Sequence, residues 1–262
     1  MNRLVVIGCG WLGKRLFSYW QSHLPDWQFV ALRRTAAGLH DLPAQVQPLV
    51  WQEPASDDAL ATLQGAIWLI AIAPGADMAA YHQTLQQWTE RAASLQCRQL
   101  ILCSSTGVYS GLGGEIYEDS QPDLSKPRVA QLVTAERIVQ QYPRHSVLRL
   151  AGLFGEGRHP GRFCARGQLA GADLPVNLVH SDQIAAYLAC WLTEQRWPAL
   201  VNIVHDDHPT KQQFYPLAAQ RYGLAAPTFT DADEQPRIVR SSLLPSLQWP
   251  SLLEMMQNIK TL

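Results

Sequence analysis

Residues 4–13 read Leu4-Val5-Val6-Ile7-Gly8-Cys9-Gly10-Trp11-Leu12-Gly13, and this stretch decides the fold. Four consecutive apolar residues without polar alternation describe a short strand buried on both faces, as in a parallel sheet. The glycines that follow form G-x-G-x-x-G, and the residues from Trp11 to about His23 suit a helix. In that setting each glycine has a distinct use. Gly8 permits a tight turn, Gly10 lets the backbone approach a pyrophosphate, and Gly13 lets the helix pack closely on the strand. The helix start, with Trp11 and Leu12, offers unpaired N–H groups and a positive dipole end to phosphate. Trp11 is expected beside the bound dinucleotide.

Working outward, strand-like runs recur at Phe29 to Leu32, Val46 to Trp51, Ala66 to Ala73, Gln99 to Cys103 and Val147 to Leu150. Helix-compatible segments separate them: Asp57 to Gln64, Met78 to Leu95 and Val129 to Tyr142. Alternation of this kind predicts an α/β fold, a doubly wound parallel sheet with right-handed crossovers. After about residue 151 the rhythm loosens. A helix over Ser181 to Thr193 and a strand over Val201 to Val204 follow. Thr210 with Gln213 makes a capping box for a helix running to Tyr222, with Gly223 as its stop. A last short helix is expected near Leu252 to Asn258. We divide the chain into a Rossmann core, 1–155, and a mainly substrate-binding lobe, 156–262, from which 181–205 returns a helix and a strand to the core.

Composition narrows the class. The 262 residues carry 21 Lys plus Arg and 22 Asp plus Glu, a net charge of −1, which is not the footprint of a nucleic-acid binder. With 47% hydrophobic and 16% charged residues the chain is not of the disordered type, and no apolar run is long enough to span a bilayer. Five cysteines lack any Cys-x-x-Cys spacing, which argues against a zinc site and for a reducing, cytoplasmic setting. Met1 to Cys9 imitates a signal segment, but Leu4 to Ile7 supply too few apolar residues, and the segment reads as the first strand.

Cofactor choice is written about 20 residues past the glycines, where NAD-binding versions carry Asp or Glu for the ribose 2′-OH. This chain has Arg33-Arg34 there. A guanidinium bonds a 2′-phosphate that a carboxylate repels, so the expectation is NADP, with NAD less favoured.

Further blocks follow in order: Ser104-Ser105-Thr106-Gly107-Val108-Tyr109, Tyr117-Glu118-Asp119-Ser120, Ala135-Glu136, Leu148-Arg149-Leu150-Ala151-Gly152-Leu153-Phe154-Gly155, Asn177 to Ala185 and Val201-Asn202-Ile203. Together with the glycine turn they resemble the extended short-chain dehydrogenase/reductase superfamily, in its NAD(P)-dependent epimerase/dehydratase branch. The short form and the double arginine are most similar to the atypical YeeZ-type members. The resemblance implies a nicotinamide cofactor over the strand ends, with Ala73, Pro74 and Ser104 lining its cleft and the loop around Gly152 near the nicotinamide. It implies a small-molecule substrate, in many relatives a nucleotide-linked sugar, and allows a homodimer through the helices at Met78 to Leu95 and Val129 to Tyr142.

The same resemblance exposes a departure. Relatives use Ser/Thr with Tyr-x-x-x-Lys, the Lys lowering the pKa of a phenol that is otherwise near 10. Aligned on Glu136, the Tyr position holds Arg128 and the Lys position Leu132. Lys14, Lys126, Lys211 and Lys260 are the only lysines, and none has Tyr four residues before it. Ser105 is kept, and Tyr109 and Tyr117 are the nearest phenols, with Lys126 or Arg128 to supply charge. Ser105 and Tyr109 are therefore the catalytic candidates. The alternative is a non-catalytic NADP-binding sensor.

Three other clusters matter. Arg158, Arg162 and Arg166 lie in a Gly/Pro-interrupted basic segment, either a solvated loop or a site for an anionic substrate. His205-Asp206-Asp207-His208 has a metal-like look but sits at a strand end before Pro209, where polar turn chemistry accounts for it, and no metal is expected. His180-Ser181-Asp182 marks a helix start that Ser181 or Asp182 can cap.

Overall fold

The computed structural model describes residues 2–51 and 60–258. Seven parallel strands form one sheet in the order β11-β7-β5-β4-β1-β2-β3. They are β1 (Arg3–Ile7), β2 (Gln28–Arg33), β3 (Val46–Val50), β4 (Ile67–Ile70), β5 (Gln99–Ser105), β7 (His145–Leu150) and β11 (Leu200–Ile203). The order reverses direction at β1, so a crevice opens between the carboxyl ends of β1 and β4, where open α/β sheets bind ligands. Val5, Val6, Ile67, Trp68, Leu69 and Leu100 are fully buried, which is why these strands lack polar alternation.

Both faces are covered. Helix α1 (Trp11–His23) packs beside α4 (Ser181–Glu194), and α2 (Met78–Ser94) beside α3 (Pro127–Gln140). Every expected element among the described residues is present, most with ends within two residues of expectation. The helix expected over Asp57 to Gln64 falls partly outside the described residues. No helix among the described residues is long and apolar enough to cross a membrane.

The second half adds short parallel pairs: β8 (Gly152–Phe154) with β10 (Leu178–His180), β9 (Gln168–Ala170) with β12 (Thr228–Thr230), and β6 (Gly114–Ile116) with β13 (Arg237–Val239). Helix α5 (Lys211–Arg221) and α6 (Leu252–Asn258) complete it. Phe154, Phe214, Ala218, Leu252 and Met256 form its own small core. Thr210 and Gln213 make the expected capping box, and Gly223 follows the helix at φ +77°. At α4 the cap differs from expectation. The His180 ring accepts from the Asp182 N–H while Gln183 Oε1 accepts from the His180 N–H, so the imidazole does the work assigned to Ser181 or Asp182.

Candidate functional site

The first cavity, about 650 Å³, lies over the β1–β4 crevice and is lined by Gly8, Gly10, Arg33, Arg34 and Ala73, with Thr35, Trp51, Thr84, Gln87 and Trp88. Gly8 has φ +81°, and a Cβ there would stand 2.6 Å from Ile72 Cγ1. A Cβ on Gly13 would meet Cys9 Sγ at 2.9 Å and Val6 Cγ1 at 3.0 Å, so that glycine serves helix-to-strand packing. Gly10 differs: its Cβ would meet only the Gly8 carbonyl, at 3.8 Å, and the space above it is open. Helix α1 has no side-chain N-cap and no acidic residue in its first turn. Its first internal bond runs from Lys14 N–H to Gly10 O, 3.1 Å. The N–H groups of Trp11, Leu12 and Gly13 therefore have no helical acceptor and suit an anion. Burial pushes the Cys9 thiol up to about 11 despite the pull of Arg33 and Lys14, so it stays neutral there.

Arg33 ends β2, and its guanidinium lies across Gly38, where a Cβ would stand 1.3 Å from Nη1. Trp51 and Trp88, missed in the sequence reading, floor the cavity with ring centroids 5.1 Å apart, and the Arg91 guanidinium lies 4.5 Å over Trp51. Neither stands in a recognisable motif; Trp51 ends the strand-like run Val46 to Trp51, which Pro48 interrupts. Pro74 is half-buried outside the cavity wall, and Ser104 is not in it either. Trp11 also departs from expectation. Its ring leaves the cleft and lies on the loop after β8, with Nε1 donating to Glu156 O at 2.8 Å and the Arg158 guanidinium 5.5 Å over the ring.

The second cavity, about 800 Å³, sits between the sheet and the small lobe. Four cations, Lys126, Arg158, Lys211 and Arg237, share its wall with Thr106, Gly152, Asn177, Phe163, Tyr215 and the carboxylates of Asp233 and Glu234. Only Arg158 of the three arginines proposed for substrate is in that wall. Arg162 and Arg166 are exposed on the seven-residue 3₁₀ segment Pro160–Arg166. Gly161 and Cys164, one 3₁₀ turn apart, share the docked face. A Cβ on Gly161 would stand 2.4 Å from Ala218 O in α5, so that face has no room to rotate and the arginines point away.

The sharpest correction concerns Tyr109. Its side chain is fully buried, and its hydroxyl bonds Asn202 Oδ1 at 2.9 Å and accepts from Arg149 Nη1 at 2.7 Å. Arg149 is paired in turn with Glu136, Nη2 to Oε2 at 2.7 Å and Nε to Oε1 at 3.0 Å, and Ser104 Oγ donates to Glu136 Oε1 at 2.6 Å. Burial raises the phenol above its ordinary range, although Arg149 and Asn202 pull the other way. Burial by itself disfavours the guanidinium, but the Glu136 pair more than offsets this and holds the Arg149 pKa up. This network ties β5, α3, β7 and β11 together. It takes Tyr109 and Ser104 out of the clefts. A lone Arg inside an apolar strand, with a Glu on the preceding helix, was the sequence signal for it.

Ser105 is half-buried, and its Oγ accepts from Gly107 N–H at 3.0 Å, which leaves its own proton free to donate. Arg128 turns away, with Nη1 2.8 Å from Met78 Sδ, and Leu132 is buried. Tyr117 directs its hydroxyl at Glu115. Lys126, capping the start of α3, lies over Gly111 in the wall of the second cavity.

No metal-ligand cluster occurs among the described residues. The His205–His208 turn instead anchors the C-terminal segment: His205 Nε2 bonds Pro250 O at 2.9 Å, and Asp207 accepts from Leu252 N–H at 2.9 Å.

A parallel sheet of this order, a glycine turn at its switch point and a second cavity against a C-terminal lobe define a Rossmann-like α/β fold with an added lobe. The chain belongs to the family of Protein YeeZ of Escherichia coli (strain K12), to which it is 30% identical over 247 residues, covering 88% of each. No family model matches it. A functionally unknown conserved protein from Silicibacter pomeroyi superposes with TM-score 0.75 at 25% identity over 98% of both chains. UDP-glucuronic acid 4-epimerase from Bacillus cereus, in complex with NAD, superposes with TM-score 0.79 at 14% identity over 98% of this chain and 96% of that one.

Proposed function

We propose that this chain is an NADP-dependent oxidoreductase or epimerase-like enzyme for a small anionic, nucleotide-linked substrate. The observation that carries this is the end of β2, where Arg33 and Arg34 line the dinucleotide cleft and no carboxylate stands among the described wall residues. Gly8, Gly10 and the N–H groups of Trp11 and Leu12 hold the pyrophosphate, and the two arginines take the 2′-phosphate. The Bacillus cereus epimerase binds NAD, which supports a nicotinamide dinucleotide; the choice of NADP rests on this chain's own arginines. Bound there, the nicotinamide supplies or accepts a hydride. Lys126, Arg158, Lys211 and Arg237 draw an anionic substrate into the second cavity. Lys126 is the amine in that cavity's wall, and Ser105, one residue before its wall residue Thr106, is the hydroxyl we assign beside it in place of the Tyr-Lys pair.

A second reading, an NADP-binding sensor without catalysis, is favoured by one observation: the Tyr and Lys positions hold Arg128 and Leu132, and neither offers a proton to a substrate. Calorimetric titration with NADPH and NADH separates the cofactor choice. NADPH is expected to bind at least about tenfold tighter, a difference near 1.4 kcal/mol. Arg33→Ala with Arg34→Ala should remove that margin, and tighter binding of NADH would overturn the NADP assignment. A screen of nucleotide-linked sugars and simple carbonyl compounds with NADPH then decides between enzyme and sensor.

A further inference from the structure

Trp11 lies between the two cavities: it follows Gly10 of the first wall in the chain, and its ring meets Arg158 of the second. Its main-chain N–H sits in the first turn of α1, without a helical acceptor, next in the chain to Gly10 of the dinucleotide cleft. Its side chain reaches the other way, and the indole N–H donates to Glu156 O at 2.8 Å. Glu156 is held a second time, its Oε2 2.7 Å from Arg15 Nη1 one turn further along the same helix. The loop runs along the ring: Gly155 and Gly157 have φ +151° and +76°, a Cβ on Gly155 would stand 2.6 Å from Ser181 Oγ and 3.3 Å from Trp11 Cζ2, and one on Gly157 would touch Trp11 Nε1 at 3.5 Å. The loop then delivers Arg158, whose guanidinium lies over the indole and whose Nε donates to Leu153 O at 3.1 Å. Arg158 and Leu153 are wall residues of the second cavity.

We propose that Trp11 is a positioning residue that couples the two cavities: a dinucleotide on its main-chain N–H fastens the indole, and the indole fixes loop 155–158 and thereby Arg158 for the second ligand. This rests on the dinucleotide reading above. The physical basis is that one residue's backbone and side chain cannot be ordered independently. A ligand that immobilises the turn lowers the cost of ordering the loop, and the coupling is reciprocal.

The test is hydrogen exchange across residues 153–163 with and without saturating NADP+, beside calorimetry of UDP with and without NADP+. In the natural chain NADP+ should slow loop exchange by about fivefold or more and tighten UDP by a similar factor, the low end of ordinary allosteric couplings. Trp11→Phe removes only the N–H to Glu156 and keeps a ring beneath Arg158. It should lose most of the loop protection while retaining part of the UDP coupling. Trp11→Ala should bring the coupling factor to about one. Trp11→Phe also keeps the test decisive where Trp11→Ala does not fold. Unchanged loop protection in Trp11→Phe, or NADP+ bound to the natural chain with no change in loop exchange, overturns the coupling. Failure of NADPH, NADP+ and NADH alike to bind overturns the dinucleotide reading instead, and that outcome is read separately by calorimetry.

Discussion

Two strand-to-helix junctions on the same sheet received opposite treatment. At the β1–α1 junction the chain withdraws its side chains: Gly8 lets the turn press against Ile72, Gly10 leaves open space, and the first N–H groups of α1 have no helical acceptor. At the β5–α3 junction it fills the space, with Ser104, Tyr109, Glu136 and Arg149 closing on one another. The first junction keeps what a ligand needs. The second keeps family-like residue types but spends the polar groups of these four side chains internally. A hydroxyl or carboxylate in a family-like block is thus evidence of function only when it faces a cavity, and the two junctions answer differently to mutation.

The largest effect should come from the filled junction. Arg149→Met strands the Glu136 carboxylate in the core and should cost about 3–5 kcal/mol, the range for breaking one half of a buried ion pair. Urea denaturation measures it. The companion Glu136→Leu with Arg149→Met should recover a large part of that loss, because two apolar side chains replace two charges that burial disfavours. A single variant no less stable than the natural chain would show that the network is dispensable. Gly10→Val comes next and probes the open junction. Its side chain enters space the protein leaves empty, so melting should barely move, while NADPH affinity should fall about a hundredfold or more, at least 2.7 kcal/mol. Gly13→Val is the contrast, since it strikes Cys9 and Val6 and should destabilise the fold directly.

Much of this was readable in the sequence, for identifiable reasons. Strand and helix placement followed from buried apolar runs, glycine stops and the Thr210–Gln213 box, all of which act locally. The cleft residues Gly8, Gly10, Arg33 and Arg34 were readable because the turn that uses them is contiguous. Side-chain direction was not. Trp11 is in the right turn but points at a loop 145 residues later. Arg162 and Arg166 belong to a basic run, yet the docking of Gly161 on α5 turns them outward. Lys211 and Arg237 reach the second cavity from elements that sequence alone does not bring together. Tyr109 shows the same limit, since burial decided its role.

Tyr109→Phe should sharpen this further with a smaller effect. It leaves Arg149 Nη1 and Asn202 Oδ1 without the phenol and should cost about 1–3 kcal/mol, the penalty for orphaned buried groups. NADPH affinity is expected to stay level. Loss of cofactor binding or of turnover without loss of stability would return Tyr109 to the site.

The smallest expected effect is in pH dependence, and it tests whether the loop carrying Arg158 docks through a neutral imidazole. His159 is buried, its Nδ1 accepts from Gly161 N–H at 3.0 Å, and its ring stacks on Tyr222 with centroids 5.2 Å apart. Burial lowers its pKa below the ordinary histidine value, as it does for His180 and His208. As pH falls, the unfolded chain therefore takes up protons before the folded chain does. The stability these neutral rings confer is complete above about pH 6.5 and is lost as pH falls from there toward the lowered folded values. Thermal melts between neutral and mildly acidic pH should show that decline. His159→Asn keeps an acceptor for the Gly161 N–H but does not titrate, so its decline should be shallower than that of the natural chain. An identical slope would mean that His159 protonates without disturbing the docked turn, and that the loop is held by the Trp11 and Glu156 contacts alone.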